Sequence, residues 1–224
     1  STVKANTTAG FSIVKYTGQQ NATDTIGHGL GVKPQAVISK SRNSTYTYTR
    51  WYVHHHKLTT NYGLFLDDTT AAYDGLGDYY VDASFSSTVF AVGNDIYGPN
   101  VSNNNYIAYC FNEVEGYSKF GQYTGNGNAS GTFVFTGFRP AWVMIKRTDS
   151  AKSWAIFDNK RDPDNVASLF LYANTAGSEN NFDFIDLLSN GFKFRTNSSL
   201  VNDDGNSYIY FAFAKSPFKN SRAR

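Results

Sequence analysis

His54, His55 and His56 follow one another along the chain and are the residues whose type best suits metal binding. In a strand His54 and His56 lie on the same face, where two imidazoles could chelate a transition metal. A third ligand would have to come from nearby aspartates, which are Asp67, Asp68 and Asp74. Two histidines alone do not make a site, and His28 is the only other histidine. We therefore expect a polar strand on the protein surface, with no bound metal and no cofactor.

Acidic residues concentrate in two stretches, residues 67–82 and residues 158–164. Calcium takes about six to eight oxygen ligands, and its best-known loop places acidic or amide side chains at alternating positions before a final glutamate. Neither stretch has that spacing. The sequence therefore predicts no calcium site.

The usual signatures of catalysis are missing from the sequence. There is no Gly-x-Ser-x-Gly turn for a nucleophilic serine. All four histidines lie in the first half, so the second half cannot form a Ser-His-Asp triad. No carboxylate pair is marked out for glycoside hydrolysis. Residues 27–31, Gly-His-Gly-Leu-Gly, lack the Lys-Ser/Thr of a phosphate-binding loop. We therefore expect that the protein is not an enzyme.

Tyrosines among polar residues give the sequence its best candidates for a binding surface. They lie in residues 41–50 and 71–82, two segments rich in Thr, Asn and Asp. Aromatic faces beside hydrogen-bonding groups can hold sugars or form protein interfaces. Filling of the core is the alternative role for any one of these tyrosines. The predicted binding residues are Tyr46, Tyr48, Arg50, Tyr73, Tyr79 and Tyr80.

The elements that must position these residues have the sequence pattern of strands. Residues 191–195, Gly-Phe-Lys-Phe-Arg, alternate apolar and charged side chains as a half-buried strand does. Residues 208–214 are apolar on both faces, which predicts a central strand covered on both sides. Only residues 182–188 could form a helical turn. Gly- and Asn-rich turns separate the runs, so we predict an all-β fold of the β-sandwich, jelly-roll-like type.

The first half of the chain recurs in the second half. Five blocks appear in the same order, with offsets that drift only from 107 to 102. The matched blocks begin at Tyr16 and Tyr123, Lys33 and Arg139, Trp51 and Trp154, Leu64 and Leu169, and Tyr106 and Tyr208. We therefore predict two tandem homologous domains, residues 1–115 and 116–224. Shared residues such as Trp51 and Trp154 are assigned to the core, and unshared residues are where a copy-specific function would lie.

Composition excludes several classes of partner. The formal net charge is +2 and charged residues make up 17%, so we expect no nucleic-acid partner. Residues 215–224 hold four basic side chains, which we interpret as a solvated chain end. No apolar run approaches the roughly 20 residues that span a bilayer, so no membrane insertion is expected. The single cysteine, Cys110, aligns with Ala212 and is predicted to be a small buried side chain.

Five segments carry a further signal. They are Gly-His-Gly-Leu-Gly-Val-Lys-Pro at residues 27–34, Tyr-Ile-Ala-Tyr-Cys-Phe-Asn-Glu at the start of residues 106–127, Gly-Phe-Arg-Pro-Ala-Trp-Val-Met at the start of residues 137–149, Trp-Ala-Ile-Phe-Asp-Asn-Lys-Arg at residues 154–161, and Pro-Phe-Lys-Asn-Ser-Arg-Ala-Arg at residues 217–224. Together they resemble a domain of unassigned function found in structural proteins of tailed bacteriophages, notably marine phages of cyanobacteria and related hosts. In that family the domain often forms the C-terminal part of a larger virion protein.

The resemblance implies a component of the phage particle and supplies no catalytic residues. We expect a tail-fibre, tail-tip or head-appendage module of the virion, exposed for host-surface binding or particle assembly. Its partners would be other virion proteins and a host surface glycan or receptor. A virion protein of this kind usually acts as a symmetric homo-oligomer, which we also expect here. A capsid decoration or cement protein and a tailspike-type carbohydrate-active enzyme stay open as alternatives.

Overall fold

The computed structural model describes residues 1–43, 49–74 and 79–216. Within them the chain consists of strands and turns, with no α-helix and with a 3₁₀ turn at Asp82–Ser84, which confirms the predicted all-β fold. No helix in this part of the chain is long and apolar enough to cross a membrane. The chain divides into two compact units. The first comprises Ser1–Asp67 and Ala72–Asn112, and the second comprises Asp68–Ala71 and Glu113–Arg224.

The first unit holds two antiparallel sheets. Its strands are β1 (Thr2–Asn6), β2 (Phe11–Thr17), β3 (Asp24–Gly27), β4 (Ala36–Ser41), β5 (Tyr52–His55), β6 (Leu64–Phe65), β7 (Val89–Val92) and β8 (Asn105–Phe111). The larger sheet has the order β1-β2-β8-β4-β5-β6, and β3 pairs with β7 in the smaller one.

Side chains from both sheets form the core of the first unit. Val14 and Tyr16 project inward from β2, because residues of one strand alternate between the two faces. The ring of Tyr16 meets Phe90 of β7 edge-on, with ring centroids 5.9 Å apart. Cys110 of β8 is fully buried in this core, and burial raises the pKa of its thiol to about 12. The predicted role of Cys110 as a small buried side chain is therefore confirmed.

The second unit is one continuous antiparallel sheet. Its strands are β9 (Ser118–Thr124), β10 (Phe133–Phe135), β11 (Pro140–Arg147), β12 (Ala155–Asp158), β13 (Ala167–Tyr172), β14 (Asn180–Leu188), β15 (Gly191–Phe194) and β16 (Ser207–Ala214). They follow the order β10-β15-β14-β13-β12-β11-β16-β9. The helical turn expected at residues 182–188 is wrong, because β14 pairs there with strands on both sides.

The sheet of the second unit curls back on itself. Tyr123 lies on β9, at one edge of the sheet, yet its ring contacts Phe194 of β15 near the other edge, with centroids 5.1 Å apart. The two layers of a sandwich are thus supplied here by one curved sheet. Its interior includes Phe157, Phe170 and Phe192, all fully buried.

The two units share a strand order and a register. The order β2-β8-β4-β5-β6 in the first unit corresponds to β9-β16-β11-β12-β13 in the second, and β3-β7 corresponds to β10-β15. Val37 pairs with Cys110 in the first unit as Val143 pairs with Ala212 in the second. Among the described residues, β14 has no counterpart in the first unit and β1 has none in the second. This agreement supports the prediction of two homologous copies.

The shared strands begin and end at one place in each unit. Phe11, the first residue of β2, pairs with Phe111, the last residue of β8. Ser118 of β9 pairs in the same way with Phe213, next to the end of β16. The chain therefore enters and leaves the shared strands of each unit at the same end of the sheet.

A buried asparagine fixes an equivalent corner in each unit. In the second unit Asn202 is fully buried, and its Nδ2 donates to the carbonyl oxygens of Thr196 and Asn128, at 2.7 and 3.0 Å. The backbone N–H of Asn126 donates to Oδ1 of Asn202 at 3.1 Å. Asn100 is the counterpart in the first unit and is also fully buried. These bonds hold the loop before the last strand against the loop after the first.

A stacked pair of tyrosines lies beside each of these asparagines. Tyr16 and Tyr106 stack with centroids 5.1 Å apart, and Tyr123 and Tyr208 stack with centroids 5.0 Å apart. The hydroxyl of Tyr16 donates to the carbonyl of Pro99, and the hydroxyl of Tyr123 donates to the corresponding carbonyl of the second unit, that of Val201. Because both pairs are shared, they serve the fold.

Candidate functional site

Two of the predicted binding residues lie in the core instead of on the surface. Tyr79 is 9% exposed and Tyr80 is 4% exposed. The ring of Tyr79 packs edge-on against Tyr52 at 4.9 Å, and the hydroxyl of Tyr80 lies 2.5 Å from Oγ of Ser39. Burial raises the pKa of Tyr80, whose hydroxyl is shut off from water. The expectation that Tyr79 and Tyr80 form a contact surface is corrected accordingly, because both side chains lie in the core of the first unit.

Of the remaining predicted binding residues, the structure describes Tyr73 and Arg50. Tyr73 is half-buried against the core, with its ring 6.2 Å from that of Phe65. Arg50 is also half-buried and places its guanidinium over the Phe65 ring at 5.3 Å. Tyr46 and Tyr48 lie outside the described residues. Arg50 and Tyr73 thus both support Phe65.

The first two residues of the histidine run are buried, contrary to the expected polar surface strand. His54 is 4% exposed and His55 is fully buried, so both faces of β5 are covered. His54 packs between Tyr80 and Phe85, with ring centroids 5.9 and 4.7 Å away. Burial lowers the pKa of His54 to about 3, so the imidazole is neutral at physiological pH. In residues 1–43, 49–74 and 79–216, no three His, Cys, Asp or Glu side chains are grouped to hold a metal ion.

His54→Phe is expected to make the first unit resist acid. The second unit has the fully buried Phe157 at the corresponding position of β12. Between pH 6.5 and about 3 the unfolded chain protonates His54 while the folded chain does not, so the free energy of unfolding falls as the pH falls. The variant lacks this loss, and its acid midpoint in a circular dichroism titration should lie at lower pH.

The control for this prediction is His56→Asn, which also copies the second unit, where Asn159 stands. It removes a half-buried histidine but keeps the burial of His54, which is the largest cause of the lowered pKa of His54, so the acid transition should stay near that of the wild type. The same acid midpoint in the wild type and in His54→Phe would contradict the argument.

The most exposed pair of aromatic side chains in the described chain lies on β10. Phe133 is 45% exposed and Phe135 is 63% exposed, while Val134 between them is 5% exposed. Alternation along the strand puts both phenyl rings on the outer face and the valine in the core. Because β10 is at the edge of its sheet, it pairs only with β15 on one side. We call Phe133 and Phe135 the edge phenylalanine pair.

Glycines lie beneath the edge phenylalanine pair. A Cβ atom at Gly191 would stand 2.1 Å from the carbonyl oxygen of Val134 and 3.2 Å from Cε2 of Phe133. A side chain therefore does not fit at Gly191, and the Phe133 ring lies against bare backbone. Phe135 lies similarly beside Gly137, whose Cβ position is 3.8 Å from Cζ of Phe135. Both rings are supported from below and open to solvent above.

Polar groups border the edge phenylalanine pair. Lys193 of β15 lies directly opposite Phe133, and its Nζ donates to Oγ of Ser130 at 3.2 Å. Protein interfaces commonly combine aromatic side chains with a polar rim of this kind. The arrangement can bury aromatic surface against a partner and offer a cation and a hydroxyl at its border.

The edge phenylalanine pair belongs to the second unit alone. At the same register positions of β3, the first unit has Thr25 opposite Ala91 and Gly27 opposite Val89. Sequence reasoning missed the pair because the matched blocks do not include β10. The signal was available: Phe-Val-Phe is apolar on both faces where the first unit reads Thr-Ile-Gly. Phe182 of β14 is also exposed, at 61%, but packs on Phe184.

The model of a family described as a domain of unknown function (DUF7483) matches residues 1–217. No curated protein and no solved structure matches the chain.

Proposed function

Because the chain belongs to that family of unknown function, we propose its role from its own surface: a non-catalytic binding module of a bacteriophage virion. The edge phenylalanine pair is its contact with a partner. The observation that carries this proposal is the exposure of Phe133 and Phe135, side by side on an open strand edge. Large apolar side chains in such a position are a mark of interaction surfaces.

The partner that suits the edge phenylalanine pair best is another protein of the particle, including a second copy of this chain. Aromatic residues are enriched in protein interfaces and dominate their energetics, especially when polar groups surround them. Lys193 and Ser130 provide such surroundings. The resemblance to structural proteins of tailed phages, which spans nearly the whole chain, supports the placement in a virion.

The strand that pairs with β10 is anchored in the core, which suits a structural role. β10 rests on β15, whose Phe192 and Phe194 are fully buried in the core of the second unit. Movement of the pair would therefore require movement of the core. A contact surface built on a packed strand loses little conformational freedom on binding, which favours tight association.

The double substitution Phe133→Thr and Phe135→Thr tests this proposal. Thr25 stands at the place of Phe133 in the first unit, so threonine suits such a strand position. We expect the variant to keep its melting temperature but to be incorporated into particles at least tenfold less, because an interface aromatic can contribute about 2 kcal/mol or more. Quantitative mass spectrometry of purified particles measures the incorporation, and an adsorption assay on host cells measures receptor binding.

The matched control is Phe182→Thr, which removes an equally exposed phenylalanine of the same unit. It should be incorporated as the wild type is. Loss of adsorption with normal incorporation would assign the pair to a host receptor and not to assembly. Absence of the wild-type chain from purified particles would refute the virion role, and normal incorporation and adsorption of the double variant would refute the role of the pair.

A further inference from the structure

We propose that the first unit carries a second, separate binding site, which takes the anionic group of an acidic sugar. The site is a cavity of about 320 Å³ at one end of the larger sheet of the first unit. Its chemistry is set by Lys15 and Arg42, and it does not depend on the edge phenylalanine pair. The residues of the cavity used below are Lys15, Tyr16, Thr17, Arg42, Asn105 and Tyr106.

The fold explains why these side chains meet. Thr17 ends β2 directly opposite Asn105, which begins β8, and its hydroxyl donates to Oδ1 of Asn105 at 3.1 Å. Lys15 is exposed on the outer face of β2, because Val14 and Tyr16 on either side of it face the core. Arg42 follows the end of β4, where its backbone N–H donates to the carbonyl of Asn105 at 2.7 Å.

The cavity is cationic. No aspartate or glutamate lines it. Lys15 and Arg42 are both exposed, and within the described residues neither side chain makes an ion pair or a hydrogen bond. Two positive charges around one small cavity, without internal counter-ions, favour a negatively charged ligand. A guanidinium can also bind a carboxylate, sulfate or phosphate through two parallel hydrogen bonds.

The second unit shows that the fold does not require these charges. At the corresponding positions it has Gln122 for Lys15 and Thr148 for Arg42. Thr148 makes the same backbone hydrogen bond that Arg42 makes, from its N–H to the carbonyl of Ser207. The stacked tyrosines, by contrast, are present in both units. The two cations are therefore an addition specific to the first unit.

A third position also carries less negative charge in the first unit than in the second. Oδ1 of Asn43 accepts the backbone N–H of Asn105 at 2.7 Å in the first unit. In the second unit Oδ2 of Asp149 accepts the equivalent N–H, that of Ser207, at 2.9 Å. Asp149 also forms an ion pair with Arg147 at 2.6 Å. The first unit thus has a neutral amide where the second has a carboxylate, which leaves its cavity free of nearby negative charge.

The size and lining of the cavity point to an anion carried on a sugar. About 300 Å³ is the lower end of the range for small-molecule sites, enough for a ligand of one or two sugar rings. Thr17 and Asn105 provide a hydroxyl and an amide at the rim, which suit the hydroxyl groups of a sugar. Tyr16 and Tyr106 also line the cavity, and the stacking of their buried rings in the core fixes the two strands that carry Thr17 and Asn105.

The test uses the residues of the second unit as substitutions. Glucuronate, glucose and inorganic phosphate are titrated into the full chain, and binding is measured by NMR chemical-shift changes. We expect glucuronate to bind, with glucose and phosphate at least tenfold weaker. The double variant Lys15→Gln and Arg42→Thr should lose at least tenfold in glucuronate affinity with an unchanged melting temperature. The control Lys4→Gln and Lys57→Thr removes the same charge from exposed positions outside the cavity and should bind as the wild type does.

Three results would overturn the inference. The first is glucuronate binding to the Lys15→Gln and Arg42→Thr variant as tight as its binding to the wild type, and the second is no glucuronate binding to either protein. Phosphate binding as tight as that of glucuronate would show a site for inorganic anions and not for a sugar. None of these results bears on Phe133 and Phe135, so this test and the test of the virion role fail separately.

Discussion

Trp154→Ala is expected to destabilise the second unit by about 3–5 kcal/mol, the usual range for removing a fully buried large aromatic side chain. Trp154 has no exposed surface and packs beside Phe211, with ring centroids 6.4 Å apart. Alanine leaves a cavity, because the closely packed surroundings of a buried side chain relax only in part. Chemical denaturation followed by circular dichroism measures the loss of free energy of unfolding.

Trp51→Ala is the matched control, because Trp51 stands at the corresponding position of the first unit. It is only half-buried, lying 6.4 Å from the ring of Tyr109 with Nζ of Lys40 5.5 Å above it. Its removal should destabilise the first unit by clearly less. Equal losses for the two substitutions would show that burial is not what distinguishes these tryptophans.

Asn202→Ala is expected to cost roughly 2–4 kcal/mol, because it removes several hydrogen bonds of a fully buried amide, each worth about 0.5–1.5 kcal/mol. The carbonyls of Thr196 and Asn128 lose their donor, and the N–H of Asn126 loses its acceptor. Differential scanning calorimetry should show a fall in melting temperature of more than about 8 °C for a unit of this size.

The first unit offers a second test of the same device. Nδ2 of Asn100 donates to Oδ2 of Asp24 at 2.7 Å and to the carbonyl of Gly93 at 2.8 Å. Asn100→Ala should therefore lower the stability of the first unit to a similar extent. The exposed Asn181 of β14 serves as the control, and Asn181→Ala should change the melting temperature little. Small effects of both core substitutions would mean that water replaces the lost amide.

The strands were predictable from local sequence, whereas the direction of several side chains was not. Alternation identified β15, and apolar character on both faces identified β16 as a central strand. Neither pattern reveals that both faces of β5 are covered, so the buried His54 was predicted to be polar surface. His54 is covered by Tyr80 and Phe85, which are distant from it in sequence.

The burial of Tyr79 and Tyr80 also could not be predicted from the local sequence. Their polar neighbours predicted a loop on the surface. In the fold this segment runs beside β7, where the N–H of Gly93 donates to the carbonyl of Tyr79 and Tyr80 forms a bridge with Val92. Such pairing between distant residues turns both rings into the core, and no local pattern encodes it. Comparison of the two halves of the chain shows that Lys15 and Arg42 have uncharged counterparts, whereas the net charge of +2 gives no sign of a cationic cavity.

The meeting of first and last shared strands in each unit has a genetic consequence. Phe11 faces Phe111, and Ser118 faces Phe213, so the shared strands of each unit start and finish side by side. A gene segment that encodes these strands can be duplicated in tandem. It can also be inserted where another gene encodes a surface loop, because the start and the end of the inserted strands are already neighbours in space. Each new copy then keeps its own sheet intact. It is free to diverge at solvent-facing positions such as 15, 42, 133 and 135, whose counterparts in the other unit are Gln122, Thr148, Thr25 and Gly27.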